Sequence, residues 1–188
     1  MVLEESDEEL IESCRRGESE AFRALFERHK DKVYSIALRY SGDTATAEDI
    51  VQDTFLKLFV GLKGFRGEAS FSSWLYRLVV NSCLDRKRKS RRLRPLLDEA
   101  LAMVRSPETG AFDEMLRAEL SGHLQTVVAS LSDEQRVLLV LRYTQSLSYD
   151  EIAEILGTSN GTIASRLNRL HRTLARRLSR FRKDGKRG

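Results

Sequence analysis

The sequence predicts an all-α protein of two small helical domains joined by a flexible linker, the C-terminal domain being a helix-turn-helix. Charged residues make up 32% of the 188 residues, with only 2 prolines and 11 glycines, which favours helices over a turn-rich β fold. Apolar residues recur at spacings of three and four, and no useful stretch alternates like a strand. We place the domains at residues 1–92 and 118–188, with the linker at residues 93–117.

The first domain is predicted to begin with two helical stretches. Ser6 and Glu9 form a capping box, which marks the start of a helix that Gly17 ends. Apolar residues at helical spacing then follow from Ala21, and the pattern pauses and resumes before a break at residues 41–43. The capping box, the glycine and the apolar residues at helical spacing therefore predict helices before the break at residues 41–43.

A third helix is predicted from about Ala45 to Leu62, followed by a loop and a long helix. The apolar residues of the third helix are expected to face inward; they are Ile50, Val51, Phe55, Leu58 and Phe59. Residues 61–70 contain three glycines and are predicted as a loop. The long helix starts at Phe71 and runs into a basic stretch at residues 86–92.

The second domain follows a less regular segment that contains both prolines. Pro95 and Pro107 lie in residues 93–117, which we interpret as the linker. Beyond it, one amphipathic helix is predicted to end around Ser130. Capping boxes at Ser132 and Ser148 then predict two more helix starts.

Charge is distributed in blocks that the net charge of +4 conceals. Residues 1–60 hold 8 Lys/Arg against 14 Asp/Glu and residues 97–158 hold 4 against 11, giving −6 and −7. Residues 61–96 hold 10 against 2 and residues 159–188 hold 10 against 1, giving +8 and +9. Clustered Lys/Arg attracts phosphate and releases its counterions. Two basic blocks, each ending an acidic segment, indicate two nucleic-acid surfaces better than two solvated helix faces do.

The strongest motif is a helix-turn-helix at residues 148–172. A short capped helix, a turn containing Gly157 and a second helix with apolar residues about four apart are typical of this motif. The polar side of the second helix carries arginine, asparagine and serine, which bind base edges in the major groove. Arginines after it suit phosphates. The alternative is an ordinary helical hairpin with a solvated basic face.

A second constellation combines aromatic and basic residues at 61–92. Phe65, Phe71 and Trp74 stand among arginines beside the glycine-bearing loop, and such side chains form platforms on which exposed bases stack. Asn81 lies one helical turn beyond Arg77 and is placed to hydrogen-bond a base edge. The alternative is that the aromatic residues complete the core, and for Trp74 the sequence leaves both interpretations open.

A third feature is a helix face that carries Asp49, Gln52 and Asp53. Positions i, i+3 and i+4 share one face, and Leu56 gives that face an apolar centre. Such a surface suits a basic helical partner, although a solvated helix face is the alternative from composition alone.

Several classes of function find no support in the sequence. No phosphate-binding glycine loop, nucleophile motif, paired-carboxylate pattern or metal pattern is present. Cys14 and Cys83 lack metal-ligand spacing, and the acidic start argues against a secretory signal. We therefore expect a cytoplasmic protein without membrane insertion, cofactor, metal or enzymatic activity.

The motifs resemble those of the extracytoplasmic-function (ECF) sigma factors of bacterial RNA polymerase. Residues 47–55 (AEDIVQDTF) are similar to the polymerase-binding helix of that family, and residues 65–81 to its promoter-melting segment. Residues 147–153 (LSYDEIA) and 161–166 (GTIASR) resemble its C-terminal helix-turn-helix. The resemblance covers nearly the whole chain in the family's order.

The resemblance implies partners and roles for these residues. Core RNA polymerase would bind Asp49, Gln52, Asp53 and Leu56. The minus-10 promoter element, melted and held by a flipped base, would meet Gly61, Lys63, Phe65, Arg66, Trp74, Tyr76, Arg77, Asn81, Arg86 and Arg88. Duplex minus-35 DNA would meet Thr162, Ala164, Ser165, Arg166, Asn168, Arg169, Arg172 and Arg176. Residues 93–117 would thread towards the RNA channel, and an anti-sigma factor would hold the protein inactive.

Two features qualify this interpretation. Ala164 and the pair Leu170-His171 replace residues commoner in the family, which bears on the minus-35 preference. A stand-alone helix-turn-helix regulator is the alternative function, and an RNA-binding adaptor is a third. Stand-alone regulators usually carry a ligand pocket, and the first domain here has no predicted pocket of that kind. An RNA-binding adaptor would leave the helix-turn-helix unexplained.

Overall fold

The computed structural model describes the backbone of residues 5–97 and 126–184, and the side chains of residues 5–86 and 126–179. Every regular element in these ranges is helical, so the predicted all-α class is confirmed. The chain divides into two compact units, one of residues 1–86 with 154–156, the other of residues 87–153 with 157–188. None of the described helices is long and apolar enough to cross a membrane.

Residues 5–86 of the first unit form three α-helices, one short 3-10 turn and the first part of a fourth α-helix. The helices are α1 (Asp7–Arg15), α2 (Ser19–Ser41), α3 (Thr44–Gly61) and α4 (Phe71–Leu97), with the turn at Leu62–Gly64. The apolar pattern that pauses after Phe26 and resumes at Val33 belongs to one continuous helix, and the predicted break at residues 41–43 is confirmed as the end of α2 and the start of α3.

The starts and ends of these helices follow from local hydrogen bonds. The predicted capping box at Ser6 is confirmed, since the Ser6 hydroxyl accepts from the Glu9 amide and the Glu9 carboxylate accepts from the Ser6 amide. Gly42 ends α2 at φ +83°, a left-handed conformation that glycine adopts without strain. The Asp43 carboxylate then caps α3 by accepting from the Thr46 amide at 2.7 Å. The short connection therefore sets where α3 begins.

The helix α4 continues to Leu97, five residues beyond the predicted end of the first domain at residue 92, and it runs through Pro95. The first residues of the predicted linker are therefore helical. The remainder of that linker, residues 98–117, lies outside the described residues.

The core of the first unit lies between α2, α3 and α4, where Leu25, Val33, Leu58 and Val79 are fully buried. Cys83 belongs to the same core, and burial raises the pKa of its thiol to about 12. The prediction that Phe59 faces inward is wrong, because its side chain is 60% exposed. Its ring meets the Phe22 ring edge to face, with centroids 5.1 Å apart.

After the end of α4, the second unit is described again from residue 126. Residues 126–129 are helical, followed by α5 (Asp133–Leu139), a π-helical turn (Val140–Thr144), α6 (Tyr149–Leu156) and α7 (Asn160–Asp184). The predicted capping boxes at both helix starts are confirmed, at Ser132 with Gln135 and at Ser148 with Glu151. Fully buried Leu141, Ile152, Ile163, Leu167 and Leu170 form the core.

Candidate nucleic-acid and partner interfaces

The predicted acidic face of α3 is present as a continuous surface. Gln52 and Leu56 are exposed, and Asp49 and Asp53 are half-buried beside them. The Asp49 carboxylate accepts a hydrogen bond from the Arg86 guanidinium on α4. The four predicted residues therefore share one face, and one of them already has a cationic partner within the chain.

The same face extends one turn beyond the residues that the sequence singled out. Leu56 is 58% exposed and Val60 76%, and Phe59 lies beside them. Residues 56, 59 and 60 stand at i, i+3 and i+4, so they adjoin on the helix surface. This spacing could have marked Phe59 and Val60 as part of the surface that includes Leu56, but Phe59 was predicted to face inward and no prediction was made for Val60. We call Asp49, Gln52, Asp53, Leu56, Phe59 and Val60 together the α3 face.

The loop after α3 folds back on α4 through an aromatic cluster. The rings of Phe65 and Trp74 stack with centroids 4.7 Å apart, and Phe71 lies 6.1 Å from Trp74. A Cβ atom on Gly61 would stand 2.9 Å from Trp74 Cζ2, so only glycine leaves room for the indole. Trp74 is half-buried, with one face on Phe65 and its edge on Gly61. Its packing role is therefore substantial.

Two contacts that the sequence did not indicate fix this loop. The Arg15 guanidinium donates to the Phe65 carbonyl oxygen, which ties α1 to the loop. The Ser70 hydroxyl accepts from the Ser73 amide at 3.1 Å and caps α4. A loop held at both ends presents its side chains in a fixed arrangement.

The other predicted minus-10 residues fall into two groups. Lys63, Arg66, Arg77 and Asn81 are exposed. Tyr76 is 8% exposed and is turned towards α2, where Lys32 Nζ lies 5.5 Å from the centre of its ring. Gly61, Phe65 and Trp74 thus come together, whereas Tyr76 lies apart from them. The side chain of Arg88 lies outside the described residues.

A polar cluster of Asp7, Arg28 and His29 packs against Phe71 through the His29 ring. His29 Nε2 lies 3.0 Å from both carboxylate oxygens of Asp7, and Arg28 donates to the same carboxylate at 2.9 Å. Burial alone would raise the pKa of Asp7, but His29 and Arg28 outweigh it and hold the pKa below its ordinary value. The His29 ring meets Phe71 edge to face at 5.3 Å. The cluster therefore connects α1 and α2 to the aromatic cluster.

The helix-turn-helix is formed by α6, a turn at Gly157 and α7. Gly157 adopts φ +61°, and the Thr158 amide donates to the Ala153 carbonyl at 2.9 Å to close the turn. The Ser159 hydroxyl accepts from the Thr162 amide at 3.2 Å and caps α7. Buried Ala153 provides the close approach that the motif needs. The predicted motif is confirmed in its geometry.

The outward side of α7 carries the predicted minus-35 residues. Exposed members are Ala164, Ser165, Asn168, Arg169, Arg172 and Arg176, and the half-buried ones are Thr162 and Arg166. Among the described residues, the arginines of this set form no ion pair. A row of solvated guanidiniums beside Asn and Ser side chains matches the chemistry of base edges and phosphates.

One further residue borders this surface. Tyr143, in the π-helical turn, is 54% exposed, and its hydroxyl contacts His171 Nε2 on the flank of α7. π-helical turns occur often at functional sites. The sequence carries only a weak signal for this residue, an aromatic side chain directly after Arg142.

Comparison with known proteins agrees with this geometry. Residues 25–93 match the family model Sigma-70 region 2, and residues 122–183 match Sigma-70, region 4. The RNA polymerase sigma-H factor of Pseudomonas aeruginosa is 30% identical, over 95% of this chain and 96% of that protein. The ECF RNA polymerase sigma factor SigW of Bacillus subtilis is 33% identical, over 89% and 94% respectively.

Solved structures give the same result. A sigma factor RpoE, in complex with the anti-sigma factor NepR from Bartonella quintana, has a TM-score of 0.63 and 26% identity, covering 84% of this chain and 96% of that one. CnrH, in complex with the cytosolic domain of CnrY, has a TM-score of 0.65 at 24% identity, covering 93% and 98%, and supports the fold.

Two helical units with a helix-turn-helix and matches to both regions define a DNA-binding transcription factor of the sigma-70 class. Within that class, the chain belongs to the ECF sigma factors of RNA polymerase. It acts with RNA polymerase on promoter DNA in transcription initiation.

Proposed function

We propose that initiation by this protein is divided among three surfaces. The α3 face binds core polymerase, α7 binds the duplex minus-35 element, and the aromatic cluster with the exposed part of α4 holds the melted minus-10 strand. The observation that carries the proposal is the α3 face, because contiguous exposed apolar residues bordered by carboxylates indicate a protein partner. A stand-alone regulator would not need such a face.

Docking on polymerase depends on complementary charge and an apolar centre. Asp49 and Asp53 supply the charge, and Leu56, Phe59 and Val60 supply apolar area that a partner removes from water. The partner chemistry that fits is a basic helical surface with an apolar centre.

Capture of the minus-10 strand is assigned to the loop and to α4. Phe65 is half-buried, and Lys63 and Arg66 beside it are exposed, so a base can meet an aromatic edge and a phosphate can meet a cation. Asn81 and Arg77 share the exposed side of α4. Trp74 acts by positioning Phe65, while Tyr76 supports α4 from its inner side.

Recognition of the minus-35 element is assigned to α7 in the major groove. Arg169 and Arg172 are placed to bind guanine edges or phosphates, and Asn168 is placed to bind an adenine edge. Ala164 offers only an apolar contact at its position. The division into domains at 1–92 and 118–188, with residues 93–117 passing through polymerase, follows from this assignment.

The remaining assignments extend the relatives' properties to this chain. An anti-sigma factor is proposed as a second partner, since a similar sigma factor was solved with one. The protein is proposed to act in the cytoplasm, without catalysis by its own residues.

A reconstitution experiment tests the proposal. The purified chain is mixed with core polymerase and assayed for run-off transcription from candidate promoters. Holoenzyme formation and start-site-specific transcripts are expected, and Asp53→Lys should abolish both while the thermal unfolding midpoint stays the same. Absence of a holoenzyme at micromolar concentration, or promoter binding that needs no polymerase, would instead favour the stand-alone regulator.

A further inference from the structure

Two ion pairs join α3 to α4 where the helices cross. The Arg86 guanidinium donates to the Asp49 carboxylate, and Lys57 Nζ lies 3.0 Å from Asp85 Oδ2. Asp49 belongs to the proposed polymerase-docking set, and Arg86 to the proposed DNA set. The Asp49–Arg86 pair therefore connects the two surfaces directly, whereas neither Lys57 nor Asp85 belongs to either.

We propose that Arg86 exchanges partners during assembly of the initiation complex. In the free protein it holds Asp49; when polymerase takes Asp49, Arg86 becomes available to a phosphate of the melted promoter strand. The inference rests on the proposed docking role of Asp49. It makes Arg86 a positioning residue that couples polymerase binding to DNA binding.

The exposure of the pair makes the exchange energetically reasonable. Both side chains are partly exposed, at 37% for Arg86 and 43% for Asp49, and exposed ion pairs are weak because water screens them. Opening the pair therefore costs little, unlike opening a buried one, which would leave a charge without solvent or partner. A polymerase cation that meets Asp49 in a drier interface is the stronger partner.

The position of Arg86 would allow the released guanidinium to bind a DNA phosphate. It is the first residue of the basic run at residues 86–92. While Arg86 is paired with Asp49, the carboxylate offsets its charge, and the positive potential at the start of the basic run is lower. Release restores the charge beside the proposed minus-10 surface, where a phosphate can bind it.

A double-mutant cycle on polymerase binding tests the first half of the exchange. Asp49→Asn, Arg86→Gln and the double variant are titrated with core polymerase as intact chains, with fluorescence detection. Asp49→Asn is expected to weaken binding, whereas Arg86→Gln is expected to strengthen it by about two- to fivefold, the value of an exposed pair. In the Asp49→Asn background, Arg86→Gln should have much less effect. Lys57→Gln is the matched control, because it removes one nearby positive charge without touching Asp49.

The outcomes separate the inference from the proposed function. If Asp49→Asn weakens binding but Arg86→Gln does not strengthen it, or strengthens it no more than Lys57→Gln does, the exchange is wrong and the docking role stands. If Asp49→Asn leaves binding unchanged, the docking role itself is wrong. Thermal unfolding of each variant checks that the fold is retained.

Salt dependence of DNA binding tests the second half. Holoenzyme carrying Arg86→Gln is compared with the parent for binding to a promoter with a pre-melted minus-10 segment. The slope of log K against log salt should fall by about one, the loss of one phosphate contact. Lys57→Gln should keep the parent slope. An unchanged slope for Arg86→Gln would overturn the exchange, since Arg86 would then have no second partner.

Discussion

The position of the Trp74 indole depends on Gly61, which has no side chain. A Cβ on Gly61 would approach the edge of the indole to 2.9 Å, closer than a real Cβ contact, while one face of the indole stacks on Phe65. The tryptophan cannot retreat without losing that stacking. The arrangement of the loop at residues 61–70 is therefore sensitive to a single methyl group.

The variant Gly61→Ala tests this sensitivity. We expect it to lower the free energy of unfolding by about 1 kcal/mol, because overpacking outweighs the gain in helix propensity. It should also slow promoter opening. Gly64→Ala is the matched control, since nothing lies within 4 Å of its Cβ position. Urea unfolding and permanganate footprinting measure the two effects; equal stability of both variants would contradict the packing argument.

Asp7 gives a residue-scale prediction about pH. Burial opposes its charge, but His29 and Arg28 outweigh burial and lower its pKa below the ordinary value of 3.8. A lowered pKa in the folded state contributes stability above pH 3.8 that disappears as pH falls through the folded value. Asp7→Asn should therefore cost stability at neutral pH, and the cost should shrink below pH 3.8. Urea titrations across this range measure it, and a cost that grew with acidity would refute the assignment.

Thr54 and Phe59 show what residue type alone can and cannot predict. The spacing of Ile50, Thr54 and Leu58 places the threonine in the core, where its hydroxyl donates to the Ile50 carbonyl at 2.7 Å. Phe59, next to Leu58 near the end of α3, is exposed, whereas Phe55 one turn earlier is buried. Hydrophobicity suggested the opposite for Phe59, because a partner surface and a core use the same residues.

At the scale of elements, helix starts were the most predictable features. All three capping boxes found in the sequence form, because each depends on two hydrogen bonds between residues three apart. The π-helical turn was not predictable. It is closed by the Gln145 amide donating to the Val140 carbonyl, five residues back, and no residue pattern marks such a turn.

Ser148→Ala tests how much a cap contributes to the helix-turn-helix. The Ser148 hydroxyl accepts from the Glu151 amide at 3.2 Å, and the Glu151 carboxylate accepts from the Ser148 amide at 2.7 Å. Losing the hydroxyl should lower the free energy of unfolding by about 1 kcal/mol. Ser179→Ala, inside α7 and exposed, should change it by less than about 0.5 kcal/mol. Calorimetry on the full chain compares them, and equal effects would show that the cap is dispensable.

At the scale of the whole molecule, the alternation of acidic and basic blocks corresponds to a division of partners. The acidic block before residue 61 contains the α3 face, and the last basic block contains all of α7. This correspondence was predictable from sequence because net charge is a property of composition. The Asp49–Arg86 contact was not, because its residues lie 37 positions apart and meet only through packing of α3 on α4.

This division predicts separable defects. Replacing Arg169 and Arg172 by alanine should reduce the salt slope of promoter binding by about two and leave polymerase affinity unchanged. Asp53→Lys should do the reverse, weakening polymerase affinity with little change in slope for the complexes that form. Fluorescence anisotropy with core polymerase, and then with promoter duplex, measures both. Defects that always appear together would contradict the separation.

The buried Cys83 offers a built-in probe of how α4 opens. Its thiol is fully enclosed, and its raised pKa of about 12 leaves almost no reactive thiolate at neutral pH. Alkylating reagents should therefore modify Cys83 only during excursions in which the helix separates from its neighbours. The half-buried Cys14 supplies a faster internal comparison. The ratio of the two modification rates, with and without polymerase, would report whether assembly tightens or loosens the helix that carries the proposed strand-binding residues.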